Sequence, residues 1–193
     1  AELKDHMFHD GLEDAYTGRA MGSFAQETAN EYGLTREEMD AFAVLSLTRA
    51  RSAIESGAFA AEICPVTVKN RKGETIVDTD EQPLTANLEK IPQLRAAFAR
   101  DGTITAANSS SISDGASALV LTTAAEATRR DVKPLARIVA HARHSHEPAL
   151  FTTAPTLAIA KLLPKTGWSK DEVDLFEINE AFAVVTMAAM RDL

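Results

Sequence analysis

The chain has 193 residues, of which 45% are hydrophobic and 25% are charged, a balance typical of a globular protein with a sizeable core. Its net charge of -8 argues against a nucleic-acid partner, because binding a phosphate backbone requires a basic face. There is no run of 18 apolar residues to span a membrane, and the single cysteine cannot form an internal disulfide, which fits a reducing cytoplasm. We therefore expect neither nucleic acid nor membrane as a partner.

Two helices are predicted early in the chain. Residues 21–32 predict the first, ended by Gly33. The stretch 34–57 predicts the second, because Thr35 and Glu38 match a capping box. Its apolar side chains recur at steps of three and four residues and predict one buried face, formed by Met39, Phe42, Ala43, Leu47, Ala50 and Ile54.

A hairpin is predicted at residues 63–78, where two β-rich runs flank a basic turn that contains Gly73. The following stretch, 86–102, is expected to be helical late in its length, with Pro92 tolerated only near the first turn. The first half of the chain therefore predicts helices plus one hairpin.

The second half of the chain alternates between predicted strands and helices, which is typical of a layered α/β fold. Strands are expected at Ala116–Leu121, 133–144 and 174–178. Helices are expected at 124–132, at 153–167 with Pro155 in the first turn, and from about Glu180 onwards, and a second capping box is expected at Ser169 and Glu172. Three strands are few for a sheet, so this half is expected to be part of a larger sheet.

Asn179 and Glu180 lie where a predicted buried strand meets a predicted helix. Active sites in open α/β sheets gather at the carboxyl ends of strands, and helix N-termini offer free N–H groups to anions. The alternative is plain helix capping, since asparagine is a preferred N-cap and glutamate is favourable in the first turn. From the residues alone, capping is the favoured interpretation.

Other polar residues allow a functional and a structural interpretation. Cys64 lies among β-branched residues and is interpreted as a small core residue. His141, His144 and His146 could bind a metal, but only Glu147 is near as a further ligand, so we expect no metal site. The turn cations Lys69, Arg71 and Lys72 could hold a phosphate or simply protect a solvated hairpin edge, and both remain open.

The stretch "ANSSSISDG" (107–115) is rich in small polar residues. Such residues let a backbone approach a ligand closely, and the alternative is an ordinary loop. Neither a phosphate-binding Walker motif nor a dinucleotide-binding glycine motif is present.

Six stretches, taken together and in this order, resemble the thiolase family, in particular the acetyl-CoA acetyltransferases that make or split acetoacetyl-CoA. They are "DGLEDAYTGRAMG", "LTREEMDAFAVLS", "KNRKGETIVDTDE", "DGTITAANSSSISDGASALVL", "KPLARIV" and "DLFEINEAFA". The resemblance implies a partial thiolase fold of the α/β class: a helix-rich loop domain with a hairpin, plus an incomplete layered α/β core.

The resemblance also implies a division of the chain. Residues 1–112 are similar to the loop domain that covers coenzyme A, residues 113–134 to the closing strand and helix of the N-terminal core domain, and residues 135–193 to the first part of the C-terminal core domain. A homodimer or homotetramer, a cytoplasmic location and a role in fatty acid metabolism are expected by the same resemblance.

The implied reaction is transfer of an acetyl group between CoA thioesters, by Claisen condensation or thiolysis, with coenzyme A as substrate and no cofactor or metal. Family members use a nucleophilic cysteine, a Gly-His-Pro histidine and a second cysteine, and none of the three is in this sequence. We therefore expect an internal piece of a longer enzyme that is inactive alone. A non-catalytic module for CoA binding or oligomerisation, derived from thiolase, is the alternative.

Residue roles follow from the same resemblance. Asn179 matches the asparagine that holds a water, which together with the histidine stabilises the thioester oxyanion. The expected CoA- and acyl-binding positions are Leu12, Met21, Lys69, Arg71, Lys72, Ser110, Phe151 and Phe182. The sequence departs from the family pattern at Ala20, at Ser111, in the short stretch "DEQPLTANLEK" and in "FTTAP", which adds bulk near the expected pocket.

Overall fold

The computed structural model describes residues 3–71 and 73–193. A π-helical turn, Phe8–Leu12, comes before the first regular helix. Helix α1 is Met21–Glu31, and Gly33 reverses the chain after it with a φ of 59°. Helix α2 is Arg36–Ser56. These two helices confirm the sequence prediction.

The capping signals that bound α2 form as predicted. The Thr35 hydroxyl accepts from the Glu38 backbone N–H at 3.2 Å, and the Glu38 carboxylate accepts from the Thr35 N–H at 2.8 Å. At the other end Gly57 has a φ of 66°, a left-handed conformation that glycine adopts without strain. Of the predicted apolar face, Met39 and Ala43 are buried and the other members are partly buried.

The predicted hairpin is confirmed. Strand β1, Val66–Asn70, pairs with the antiparallel strand β2, Gly73–Val77, with Val66 opposite Val77 and Asn70 opposite Gly73. Every residue of both strands is exposed. The hairpin therefore stands at the surface.

A short helix α3, Glu81–Thr85, and a 3₁₀ turn, Leu88–Gln93, follow the hairpin. The prediction of a helix late in 86–102 is wrong, since residues 94–100 are irregular. The cause is a competing backbone contact: the Ala97 N–H donates to the Ile104 carbonyl at 2.8 Å, not to the carbonyl four residues earlier.

The predicted helices of the second half are confirmed, with two shifted boundaries, one at the end of the helix predicted at 124–132 and one at the start of the last helix. They are α4, Ala124–Arg129, α5, Ala154–Thr166, and α6, Ala183–Asp192; a 3₁₀ turn, Pro148–Thr153, leads into α5, and another, Lys170–Glu172, follows it. The Glu172 carboxylate accepts from the Ser169 N–H at 2.8 Å, as the second capping box predicts. Helix α6 begins at Ala183, not near Glu180, because Phe182 still has extended backbone angles.

The three strands predicted in the second half are not formed. Within residues 3–71 and 73–193 the only sheet is β1 with β2, and the segments 116–121, 133–144 and 174–178 have no strand partner there. The apolar side chains Leu119, Val120 and Leu135 are 84%, 97% and 103% exposed. A strand is stabilised by its hydrogen-bonded neighbour, so apolar content alone does not produce one. The α/β core is accordingly incomplete.

The core lies where α1, α2 and α6 meet. Its buried members are Ala25, Ala29, Leu34, Met39, Ile104, Ala183 and Val184. The first residues of α6 are thus anchored in the core, which fixes the segment just before them. In the part of the chain that the structure describes, no helix is both long and apolar enough to cross a bilayer.

Candidate functional site

The segment 179–182 is held by the loop 103–110. The Ser110 N–H donates to the Ala181 carbonyl at 2.9 Å, and the Ala183 N–H donates to the Asn108 carbonyl at 2.9 Å. Ser109 and Phe182 form an isolated antiparallel bridge between these contacts. The small polar stretch noted in the sequence is therefore a support for the segment that contains Asn179.

Asn108 makes this loop rigid. Its side chain is buried, accepts from the Thr105 N–H at 2.8 Å and donates to the Thr103 carbonyl at 2.9 Å. The Ser109 hydroxyl adds a bond to the Thr105 carbonyl at 2.7 Å. A buried polar group whose bonds are satisfied fixes one loop conformation. Sequence reasoning missed this role of Asn108, because its burial and its contact with Ala183 appear only in the folded structure.

Asn179 lies at the wall of a cavity of about 320 Å³. The cavity is lined by Phe151, Pro155, Ile159, Glu177, Ile178, Asn179, Ala181 and Val185. The capping interpretation of Asn179 is wrong, since the N-cap of α6 is Phe182. Asn179 is exposed, and its side chain makes no hydrogen bond within the described part of the chain. An amide at the edge of a mainly apolar cavity is available to a ligand.

Three aromatic rings meet beside this cavity. The Phe182 ring lies 6.5 Å from that of Phe151 and 6.3 Å from that of Phe98, the latter in an edge-to-face arrangement. Phe98 was missed from the sequence because its surroundings predicted a helix. Gly22 faces the same ring: a Cβ at position 22 would lie only 2.1 Å from Phe98. The aromatic group therefore connects α1 to the cavity wall.

Glu180 faces the other side of the segment, towards α2. Its carboxylate accepts from the Ser46 hydroxyl at 3.0 Å. Burial raises the pKa of Glu180, and the bond from Ser46 partly opposes that change. Ser46 was not singled out in the sequence, where it is one more small residue on a long helix.

The remaining expected site residues are dispersed. Leu12 and Met21 are partly buried at the end of the first turn and the start of α1. Ser110 is exposed beside Ala181. Lys69 pairs with Glu74 at 2.7 Å on the exposed hairpin, and Arg71 is exposed at its tip. Lys72 lies outside the described residues. Of the expected site residues that the structure describes, Phe151 and Asn179 line the cavity. Phe182 lies beside it against Phe151, and Ser110 binds the Ala181 backbone. Leu12, Met21, Lys69 and Arg71 do not line the cavity.

Two further expectations concern the cysteine and the histidines. The interpretation of Cys64 as a core residue is wrong: it is exposed, because the segment before β1 runs along the surface, where Ile63 is exposed as well. His144 and His146 lie with ring centroids 5.0 Å apart. Among the described residues, no group of three or more histidine, cysteine or acidic side chains could hold a metal ion.

Sequence comparison identifies known relatives along the whole chain. Residues 1–125 match the family profile "Thiolase, N-terminal domain", and residues 132–193 match "Thiolase, C-terminal domain". The acetyl-CoA acetyltransferase of Paracoccus denitrificans is 45% identical over 193 residues, which cover 100% of this chain and 49% of that protein. The chain therefore spans about half the length of the relatives it matches.

Solved structures give the same result for the fold. The acetyl-CoA acetyltransferase of Bacillus anthracis superposes with a TM-score of 0.95 at 39% identity, covering 100% of this chain and 49% of that one. The Acat5 thiolase of Ascaris suum, solved in complex with coenzyme A, gives a TM-score of 0.92 at 38% identity, covering 100% and 50%. On the two family matches and these likenesses, the chain belongs to the thiolase family.

Proposed function

We propose that the complete gene product is an acetyl-CoA C-acetyltransferase, transferring an acetyl group between CoA thioesters by Claisen condensation or thiolysis. The observation that supports this most is the position of Asn179: an amide without a hydrogen-bond partner among the described residues, at the wall of a mainly apolar cavity. Its backbone neighbours are fixed by the loop 103–110. A preorganised donor at such a place is what a reaction with a developing oxyanion requires.

In this proposal Asn179 holds a water that stabilises the thioester oxyanion together with a histidine. The acyl group passes first to a cysteine thiolate with release of the CoA thiolate. A base then removes an α proton from a second thioester, and the resulting carbanion attacks the acyl-cysteine, which forms the C–C bond and releases the cysteine thiolate. The 193 residues contain neither that histidine in its Gly-His-Pro motif nor a second cysteine, and Cys64 is exposed on the surface. This chain therefore supplies the amide and the pocket, not the nucleophile.

Phe151 and Phe182 are proposed as walls of the acyl pocket. Their rings lie 6.5 Å apart, and Phe151 lines the cavity itself. Two large aromatic side chains restrict the space beside Asn179, which favours a short acyl group such as acetyl or acetoacetyl.

Contacts to coenzyme A are proposed along the residue 1–112 loop domain. Leu12, Met21 and Ser110 would contact the pantetheine or nucleotide, and the hairpin cations Lys69, Arg71 and Lys72 would lie near the CoA phosphates. Lys69 already pairs with Glu74, but this pair is exposed and thus weak enough to exchange for a phosphate. The same proposal divides the chain into three parts, residues 1–112, 113–134 and 135–193. It also includes assembly as a homodimer or homotetramer and a role in fatty acid metabolism in the cytoplasm.

The test is an assay of acetoacetyl-CoA thiolysis with the complete gene product and its Asn179→Ala variant. Loss of one oxyanion-stabilising contact is expected to lower kcat by about 10²–10³-fold. Asn87→Ala is the matched control, because Asn87 caps the 3₁₀ turn Leu88–Gln93 away from the cavity. Unchanged kcat in Asn179→Ala would contradict the role given to this amide.

The isolated 193-residue chain serves as a second control and is expected to show no turnover. Thiolase activity from that chain alone would contradict the proposal that it supplies the amide and the pocket but not the nucleophile. A complete gene product that binds CoA in isothermal titration yet shows no thiolysis would instead support the alternative, a non-catalytic CoA-binding or oligomerisation module.

A further inference from the structure

We propose that Glu180 is a positioning residue, which holds Asn179 at the cavity wall through its hydrogen bond with Ser46 of α2. The inference rests on the proposed function, since it assigns Glu180 an effect on catalysis that passes through Asn179. It concerns a contact on the side of the segment that faces away from the cavity.

The segment 177–181 presents its two faces to different surroundings. Glu177, Ile178, Asn179 and Ala181 line the cavity, whereas Glu180 does not and instead accepts from Ser46. Glu180 is therefore the neighbour of Asn179 whose side chain fastens the segment from behind.

Among the described residues, backbone hydrogen bonds hold the chain after Asn179 but not before it, and the Glu180 side chain adds a contact next to Asn179. Ser110 and Asn108 hold the carbonyl of Ala181 and the N–H of Ala183, both after Asn179 in the chain. Before Asn179, the segment 174–178 has no strand partner in the described part of the chain. The bond from Ser46 to Glu180 adds a link to a different element, the long helix α2, at the residue adjoining Asn179.

The chemistry of the contact also suits a positioning role. Glu180 is partly buried and forms no ion pair with any described residue, so its hydrogen bond is to a neutral hydroxyl. Burial removes water from the Glu180 carboxylate, which raises its pKa. A carboxylate buried there without a charged partner destabilises the folded protein. We therefore expect Glu180 to have a role in positioning Asn179.

A double-mutant cycle in the complete gene product tests the inference. Glu180→Ala is expected to lower kcat by about 10–100-fold with little change in KM, because a small misplacement of a catalytic group has this effect. Glu180→Gln keeps the shape and an acceptor for Ser46, and is expected to restore most of kcat. In the Asn179→Ala background, Glu180→Ala is expected to cause no further loss, since its effect passes through Asn179.

Ser46→Ala is expected to reproduce part of the Glu180→Ala loss, and Ser52→Ala, at an exposed position of the same helix, is the matched control. Losses that multiply in the double variant, or a normal kcat per active site with only a lower melting temperature, would overturn the inference. If Asn179→Ala itself has full activity, the proposed function fails; if only Glu180→Ala has full activity, this inference alone fails.

Discussion

His144 and His146 are polar side chains without hydrogen-bond partners among the described residues, and the protonation of His144 affects the stability of the fold. Both are partly buried, their ring centroids are 5.0 Å apart, and Nδ1 and Nε2 of His144 and Nε2 of His146 have no hydrogen-bond partner in the described part of the chain. The pKa of His144 is lowered, first by burial and then by the positive charges of Lys161 and His146. Protonation of His144 therefore opposes the folded state.

We predict that this histidine makes stability fall in acid. Above the ordinary histidine pKa of about 6.5 both states are neutral, and below it the unfolded chain takes up protons more readily than the native one. The melting temperature of the complete gene product should thus drop between about pH 7 and pH 5, and His144→Val should reduce that drop. His141→Val, at an exposed position, is the control. An equal drop in both variants would contradict the prediction.

At the site, the residue types alone did not decide whether Asn179 has a functional role or caps a helix. The preference of asparagine for N-caps favoured the wrong interpretation of Asn179, because α6 begins at Ala183 and Asn179 lies in the unpaired segment before it. What selected Asn179 was the resemblance to a family. Its neighbours Asn108, Ser46 and Phe98 are distant in sequence and become neighbours only through the fold, so no local pattern could have indicated them.

Gln26 joins α1 to the loop 103–110, which supports the site. From α1, its Oε1 accepts from the N–H groups of Thr103 and Ile104, at 2.7 and 3.1 Å. Its Nε2 donates to the Asn30 side chain and the Thr103 hydroxyl, both at 3.0 Å. The side chain is buried and its bonding capacity is used at both ends. It holds the start of the loop that leads to Asn108.

We predict that Gln26→Leu destabilises the protein by about 1–3 kcal/mol, because the buried N–H group of Ile104 loses its acceptor, and the partly buried N–H group of Thr103 loses it too. Urea unfolding of the complete gene product measures the effect. Gln93→Leu makes the same change at an exposed residue and is expected to have a small effect. If both variants unfold at the same urea concentration, Gln26 does not support the loop.

Elements were predictable where their signals are local. The capping box and Gly57 placed α2 correctly, Pro155 in the first turn placed α5, and the basic turn placed the hairpin. The helix expected late in 86–102 failed because Ala97 bonds to Ile104 across a turn. The strands at 116–121, 133–144 and 174–178 failed because a strand requires a partner, and partnership is a property of the whole sheet.

At the scale of the whole molecule, the unpaired segments form the largest departure from an ordinary globular surface. Leu119, Val120, Leu135 and Leu175 are 84%, 97%, 103% and 82% exposed, and Ile138 adds 72%. Soluble monomers rarely expose contiguous apolar surface, and unpaired backbone groups promote pairing with other chains. The relatives are about twice as long as this chain, which is consistent with a sheet that more residues complete.

We predict that the isolated 193-residue chain self-associates, because its unpaired segments expose apolar side chains and free backbone groups at once. Light scattering coupled to gel filtration should give a mass well above 20.8 kDa, and a hydrophobic dye should bind strongly. The complete gene product is expected to bind less dye per chain and to protect the amides of 116–121, 133–144 and 174–178 from hydrogen exchange. Replacing Leu119 and Leu135 by lysine should reduce association of the isolated chain, whereas the same change at Leu3, 100% exposed outside these segments, should not. A monomeric, dye-free chain would show that these segments are covered without further residues.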